Sequence, residues 1–384
     1  MPASRDFHTV LLKSDGTAIA CGRNECGQCN IPAPPAGVTY TQAAAGGYHT
    51  VLLKSDGTAA AFGDNDFGQC NIPALPQGLS YTQACAGCFD TVLLKSNGTV
   101  AVAGSMLHPA SILMAGLPEG VTYRQAATGV MHTILLKSDG TAVAFGCNSD
   151  GQCNIPALPE GVTYTQAAAG ILHTVLLKSD GTAAAFGDNE ADQCTIPALP
   201  EGVTYIQVAA AGQHTVLLKS DGTAVAFGDN VFGQCNIPAL PKEVIYTQAA
   251  PGHAHTVLLQ SDGTAVAVGN NNHGQCDIPA LPASEGIRYT RSVDQRPRTI
   301  LNIQFASEAA VFYMLSGEEV LRVQVSAGDN LTDLRLKYLS GIAGMCGRFC
   351  AALPTGVLLD EQCAQTPSAS LEPWLLRKRA RLSE

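Results

Sequence analysis

Apolar and polar positions alternate along this chain in blocks that recur. The block His214-Thr215-Val216-Leu217-Leu218-Lys219-Ser220-Asp221-Gly222-Thr223-Ala224-Val225-Ala226-Phe227-Gly228 contains two apolar runs around a polar turn. Near-copies start at Phe7-His8, His49, Asp90, His132, His173 and His255. That makes seven copies at a step of 41 residues, 42 once. Asp-Gly between two apolar runs is a hairpin signal, because Gly accepts positive φ and Asp tolerates it. The first run, Thr215 to Lys219, is apolar at consecutive positions, so both of its faces must be buried. A third strand, Tyr246-Thr247-Gln248-Ala249-Ala250, has relatives at Tyr40, Tyr81, Tyr123, Tyr164, Tyr205 and Tyr289.

A fixed period of this length indicates a solenoid or a propeller. Small antiparallel sheets buried on both faces and repeated radially are propeller blades; a β-solenoid has parallel strands and usually shorter turns. The strand rich in Ala, ending in Gly63, Gly146, Gly187 or Gly228, is expected near the crowded central axis. The first hairpin lacks a preceding Tyr-Thr-Gln strand, and the last is followed by a spare one, Ile287 to Val293. If strand 287–293 completes the first blade, the ring closes and exposed sheet edges disappear. The expectation is an all-β, seven-bladed β-propeller over residues 1–294.

The residues His214 to Thr223, Ala226-Phe227-Gly228-Asp229-Asn230 and Gly233-Gln234 resemble the repeats of the regulator-of-chromosome-condensation family. The resemblance covers roughly residues 1–294 and implies a seven-bladed propeller used for protein recognition. Phe62, Phe145, Phe186 and Phe227 stand where the family usually has Trp, and the units are short. The chain is thus nearer the compact members of the superfamily, which include a bacterial β-lactamase-inhibitor protein. Exchange activity towards the GTPase Ran does not carry over, because no matching loop is identifiable.

Charge narrows the possible partners. Residues 1–294 hold 12 Lys and Arg against 23 Asp and Glu, a net charge of −11; residues 295–384 hold 10 against 9. An acidic repeat domain lacks the basic footprint of a nucleic-acid binder and fits basic protein partners better. No apolar run approaches a membrane span, and Met1 to Asp6 reads directly into a strand with no signal peptide. Expectations are therefore a monomer in the cytoplasm or nucleus, with the 14 cysteines mostly free thiols.

No catalytic constellation, cofactor site or metal site is expected: the sequence lacks a Gly-x-Ser-x-Gly elbow, a P-loop and a His-Glu-x-x-His motif. Cys29, Cys70, Cys153, Cys194, Cys235 and Cys276 recur within Gly-Gln-Cys-(Asn/Thr/Asp)-Ile-Pro or close variants. Equivalent positions in a ring cannot converge on one ion, so they read as buried structural thiols. His8, His49, His132, His173, His214 and His255 recur at one strand entry, with Asp90 in the third unit. They read as hydrogen-bonding partners of their own or a neighbouring blade. The pairs Asp64-Asn65, Asp188-Asn189 and Asp229-Asn230 read as Asx-turns.

Two short windows vary while the framework repeats: the residues before the His, and those before Gly-Gln. Positions free of the common folding demand are where a partner surface can be written. The candidate binding residues are Tyr48, Phe67, Phe89, Met131, Leu172, Phe232 and His273. The third unit departs from Gly-Gln-Cys-Asn-Ile-Pro and carries an apolar loop, which adds Leu107, Ile112 and Leu113.

Residues 295–309 read as a linker. Ala310 to Glu319 and Val320 to Val325 look like a hairpin, Asp329-Asn330 caps an expected helix through Leu331, Leu334, Leu336 and Leu339, and Val357 to Leu359 is a short strand. With Leu371 to Leu376 as a closing strand, residues 310–376 resemble a small α+β ubiquitin-like domain without a terminal Gly-Gly. Arg377-Lys378-Arg379-Ala380-Arg381 is a basic tail over 377–384, read as a solvated end or a nuclear signal.

These readings converge on a non-enzymatic interaction protein. Its propeller loops bind a protein partner, and its tail connects it to ubiquitin-pathway components, as in the propellers of HECT-type ligases. The alternative is an exchange factor or regulator of a small GTPase; inhibition of an enzyme by the propeller face is a third possibility.

Overall fold

The computed structural model describes residues 7–104, 116–281 and 288–290, together with the backbone of strand Ala3–Arg5 and of five C-terminal strands. The chain divides into two compact units, Met1–Gln295 and Arg296–Glu384.

The first unit contains seven three-stranded antiparallel sheets, and no helix occurs among the described residues. Each sheet is a blade, numbered here by its middle strand: His8–Leu12, His49–Lys54, Asp90–Lys95, His132–Lys137, His173–Lys178, His214–Lys219 and His255–Gln260. In blade 6 the order is Tyr205–Ala211, His214–Lys219, Ala224–Gly228. The hairpin turns at Asp-Gly as the sequence predicts. In blade 1, Lys13 and Thr17 pair across it, Gly16 donates to the Lys13 carbonyl at 3.0 Å, and Gly16 takes φ 79°. This is a type I turn closed by a left-handed glycine. Asp15 Oδ1 braces it by accepting from the Thr17 amide at 2.8 Å.

The unbroken apolar run of the middle strand follows from packing between blades. Val216 and Leu218 join Tyr246, Ala249 and Leu258 of blade 7, whereas Leu217 joins Val175, Leu177 and Tyr205. One strand therefore feeds two interblade cores through alternate side chains, and both faces exclude water. Burying each such Leu contributes roughly 1.5–3 kcal/mol. A register shift between Tyr205 and Gln207 is a β-bulge. The Tyr205 hydroxyl donates to the Pro197 carbonyl at 2.7 Å, and Tyr40, Tyr81, Tyr164, Tyr246 and Tyr289 repeat the bond to their own Pro carbonyls.

The innermost strand differs from the sequence expectation. First strands of successive blades touch one another around the whole ring, including Ala3–Arg5 with both Tyr40–Ala45 and Tyr246–Pro251. The Ala-rich third strand is half-buried along its length, on the far side of the middle strand. Crowding at the axis is met instead by Gln-Ala-Ala of the first strand. Its Gln bridges blades: Gln207 Nε2 donates to the Ala249 carbonyl at 3.2 Å and Gln207 Oε1 accepts from the Ala249 amide at 3.0 Å. The amide side chain thus satisfies both backbone groups of one residue.

Closure of blade 1 is composite. Tyr289 bridges Lys13, and the Thr290 amide donates to the Leu12 carbonyl at 3.0 Å. Beyond that point the place opposite Val10 to His8 is taken by Ala3–Arg5, in the register Ala3↔Val10 and Arg5↔His8. Residues 288–290, the described part of the expected strand 287–293, therefore begin the first strand of blade 1, and the N-terminal segment supplies its other end. Three residues carry too little pattern to announce a strand.

In the second unit, strands Leu301–Ala306, Ala309–Tyr313, Glu319–Gln324, Ala351–Ala352 and Leu358–Leu359 form one sheet. The expected hairpin is present as Ala309–Tyr313 paired antiparallel with Glu319–Gln324. The expected linker 295–309 is not all linker. Leu301–Ala306 is the central strand, antiparallel to Ala309–Tyr313 and parallel to Ala351–Ala352. Alternation of Leu301, Ile303 and Phe305 is the strand signal there. The expected helix over Leu331 to Leu339, the closing strand 371–376 and the basic tail 377–384 lie outside the described residues.

Candidate partner-binding face

Each hairpin pairs the start of the middle strand with the end of the third: His214 opposes Gly228 and Leu218 opposes Ala224. The loop before the His and the loop after Gly228 therefore emerge at the same end of the blade. The Asp-Gly turn lies at the other end. The two variable windows of the sequence thus share one face of the ring, the loop end, and the repeated turns occupy the opposite face, the turn end.

The loop after the third strand is held by its own polar side chains. In blade 6, Asp229 Oδ1 accepts from the Val231 amide at 3.1 Å and Asp229 Oδ2 from Gln234 Nε2 at 2.9 Å. Asn230 Oδ1 accepts from the Cys235 amide at 2.8 Å. The Asp-Asn pairs are therefore Asx-turns and loop braces, as expected. The Cys235 thiol donates to the Asp229 carbonyl at 3.3 Å, a contact repeated by Cys29, Cys70, Cys153, Cys194 and Cys276. Burial pushes the thiols of Cys29, Cys70, Cys194, Cys235 and Cys276 up to about 11, which keeps them protonated donors. These cysteines are only partly buried, less so than the sequence suggested, because they sit in loops. Among the described residues no three His, Cys, Asp or Glu groups come together as a metal site.

Beneath the loops runs a buried polar belt. His173 Nε2 meets Thr215 Oγ1 at 3.0 Å, His214 meets Thr256 at 2.8 Å, and His255 meets Thr9 at 2.9 Å. His8, His49 and His132 reach Thr50, Thr91 and Thr174 in the same way. Each Thr hydroxyl also points at the carbonyl of a Gln in the preceding blade, as Thr215 does at Gln193 at 2.8 Å. A hydroxyl has one proton. Thr215 donates it to Gln193, so His173 Nε2–H must be the donor to Thr215, which fixes the tautomer. The bare Nδ1 of His173, His214 and His255 is buried with no hydrogen-bond partner among the described residues. Protonating it would bury an uncompensated charge. Burial accordingly holds His8 and His173 down to about 4 and His214 and His255 down to about 3. The ring lies against Gly170, where a Cβ would collide with His173. The repeated histidines are thus structural links between blades.

Above the belt, the structure joins the two variable windows across blade boundaries. Phe67 of blade 2 meets Phe89 of blade 3 with ring centroids 4.9 Å apart, tilted by 57°. His273 of blade 7 meets Phe7 of blade 1 at 5.1 Å. Arg23 lies over both Phe7 and Tyr48, at 5.7 Å and 5.3 Å from their centroids. Phe67 is 53% exposed, Phe232 50% and the adjoining Val231 82%. Phe89 and Met131 are exposed, Tyr48 and Leu172 half-buried, and His273 exposed. Leu107, Ile112 and Leu113 lie outside the described residues. Phe7 and Arg23 join this surface beyond the candidate residues, as does His253 of the variable window before His255, whose ring lies 5.9 Å from Phe7. Arg23 was detectable, since it occupies the position held by Asp64, Asp188 and Asp229 in other units.

The profile described as "Regulator of chromosome condensation (RCC1) repeat" matches residues 6–28, 40–69 and 205–234. The chain is an RCC1-like β-propeller. Prp20p from Saccharomyces cerevisiae shares the fold at 18% identity and a TM-score of 0.58, over 79% of this chain and 90% of that one. Yeast RCC1 (Prp20) bound to Kap60 aligns at 18% identity and a TM-score of 0.56, over 73% and 83% of the two chains. Human WBSCR16 does so at 18% identity and 0.55, over 67% and 85%. No curated protein matches the sequence. The Prp20p study describes binding to Gsp1p and histones.

Proposed function

We propose that the RCC1-like propeller is a non-enzymatic protein-binding module that engages its partner through the loop end. The observation that carries this reading is the meeting of the two variable windows at blade boundaries, above all the exposed pair Phe67–Phe89. Aromatic side chains offered at a surface, on a frame locked by interblade hydrogen bonds, are suited to anchoring a protein interface. The test is affinity purification with the full chain and with a Phe67→Ser/Phe89→Ser variant. Partners recovered by the wild type should be lost by the variant while its thermal transition stays cooperative. Equal recovery by both would overturn the reading.

The second reading is regulation of a small GTPase, and its support is that Prp20p, a protein of this fold, binds Gsp1p. Acceleration of nucleotide release by catalytic amounts of the chain would favour it over simple docking. The link to the ubiquitin system rests on the resemblance of residues 310–376 and on the hairpin Ala309–Tyr313/Glu319–Gln324. Ubiquitin-pathway proteins recovered by the full chain and not by residues 1–294 would support it. The setting we propose is the reducing cytoplasm or nucleus, where the loop thiols stay available as donors.

A further inference from the structure

Charge is unequally shared between the two ends of blades 4, 5 and 6. At the turn end, the Asp of each Asp-Gly turn has a nearby base, while Glu160 and Glu201 stand exposed. Lys137 lies 3.9 Å from Asp139 and Lys219 lies 3.8 Å from Asp221, and Lys178 acts on Asp180. At the loop end the same three blades carry Asp150, Asp188, Glu190, Asp192 and Asp229, and no Lys or Arg among the described residues. Large apolar side chains sit among these carboxylates: Met131 of blade 4 and Val231 and Phe232 of blade 6 are exposed. At the same end the pre-His loops of blades 5 and 6 are tied together, with the Ile171 amide donating to the Gly212 carbonyl at 2.9 Å.

We infer that the loop end of blades 4–6 binds a basic segment of a partner protein in which Lys or Arg alternates with large apolar side chains. The proposal rests on the protein-binding reading above and specifies the chemistry of the partner. The carboxylates do not converge on a point, and four of them already accept a hydrogen bond, Asp150 from Ser149 at 2.6 Å, Asp188 from Gln193 at 2.8 Å, Asp192 from Thr195 at 3.3 Å and Asp229 from Gln234 at 2.9 Å. A spread of acids suits a line of cations on a chain better than one metal ion. Their sign opposes nucleic acid and anionic lipid. The apolar residues supply what charge alone does not, a desolvated anchor that slows dissociation. Long-range attraction by five acids with no Lys or Arg beside them at that end raises the association rate and makes it depend on salt.

The test uses the full chain and fluorescein-labelled peptides of about twelve residues, read by fluorescence anisotropy, with charge sign and apolar content as the variables. A peptide of alternating Lys and Phe is the probe; alternating Glu and Phe, and alternating Lys and Ser, are the controls. The Lys-Phe peptide should bind, the Glu-Phe peptide should not, and the Lys-Ser peptide should bind roughly ten-fold more weakly. Raising salt from about 50 to 300 mM should weaken the Lys-Phe complex about ten-fold or more. Asp150→Lys with Glu190→Lys, both exposed at the loop end, should cost about ten-fold or more. Glu160→Lys with Glu201→Lys, the same charge change at the exposed turn end, should cost less than about two-fold. Equal loss from both pairs, or no binding of the Lys-Phe peptide, overturns the proposal. If the peptide fails while Phe67→Ser/Phe89→Ser still abolishes partner recovery, the inference falls and the protein-binding reading stands. If the peptide binds at the loop end but those two substitutions change no partner, the general reading is the one that fails.

Discussion

The two ends of the propeller are built from the same repeat yet follow different rules. At the turn end, Lys-Ser-Asp-Gly-Thr recurs with little change, each Asp held by its Thr and accompanied in blades 1, 2, 4 and 6 by its Lys at 3.3–4.0 Å. Ile206 and Ile245 are exposed there, but among the described residues the ring pairs all lie at the other end. At the loop end, a layer of His, Thr and Gln, interrupted by Asp90 in blade 3, lies directly beneath loops that change from blade to blade. The difference shows how a repeat frees a surface for recognition. Once a buried belt of hydrogen bonds fixes the strand ends, the residues above it no longer carry the fold, and they can vary in shape and charge.

Acid is the harshest way to break that contrast. His8, His173, His214 and His255 have folded values near 3 to 4, below the ordinary 6.5. The unfolded chain therefore binds more protons between those limits. Stability should be complete above about pH 6.5 and be lost as pH falls towards 4, by a sum on the order of several kcal/mol. Urea unfolding followed across that window is the measurement. The turn-end acids act lower: the Thr58 and Thr141 hydroxyls and amides hold Asp56 and Asp139 below the usual carboxylate range, so their contribution fades only as pH drops below about 4. A flat urea midpoint between pH 6.5 and 4 would show that the belt is not buried as described.

A single substitution probes the belt at one boundary. Thr215→Val leaves the His173 N–H without its acceptor and the Gln193 carbonyl without its donor. The expected cost is about 1–3 kcal/mol for each buried group left unsatisfied, visible as a lower melting temperature with an unchanged denaturant slope. Above the belt the expected cost is smaller. Phe67→Ser with Phe89→Ser forfeits one exposed ring pair, about 0.5–1.5 kcal/mol, while removing the anchor for a partner. At the turn end, Lys219→Ala breaks an exposed pair with Asp221 and should shift stability by no more than about 0.5–1 kcal/mol. If Lys219→Ala proved as damaging as Thr215→Val, the distinction between the ends would collapse.

Much of this architecture was legible because repetition amplifies weak signals. One Asp-Gly turn or one Val-Leu-Leu run is ambiguous, but seven in phase are not. The continuous apolar middle strand announced burial on both faces, and the interblade packing of Val216, Leu217 and Leu218 supplies the reason. Small Ala side chains in the third strand do not mark the axis; the first strand lines it, because its Gln joins neighbouring first strands, a link that composition alone does not report. Likewise, Phe67 and Phe89 were each visible as departures from the repeat, whereas their contact joins residues from two units and no periodicity reports it.

The sequence by itself determined the number of blades, the turns and the pairing within each hairpin, since these depend on local φ/ψ preference and on the order of apolar positions. Only the tertiary structure decided the composite closure by Ala3–Arg5 and Tyr289, the direction of each His–Thr bond, and the meeting of aromatic residues at one end. Those features depend on distances between groups far apart in the chain, and such distances exist only once the ring has closed.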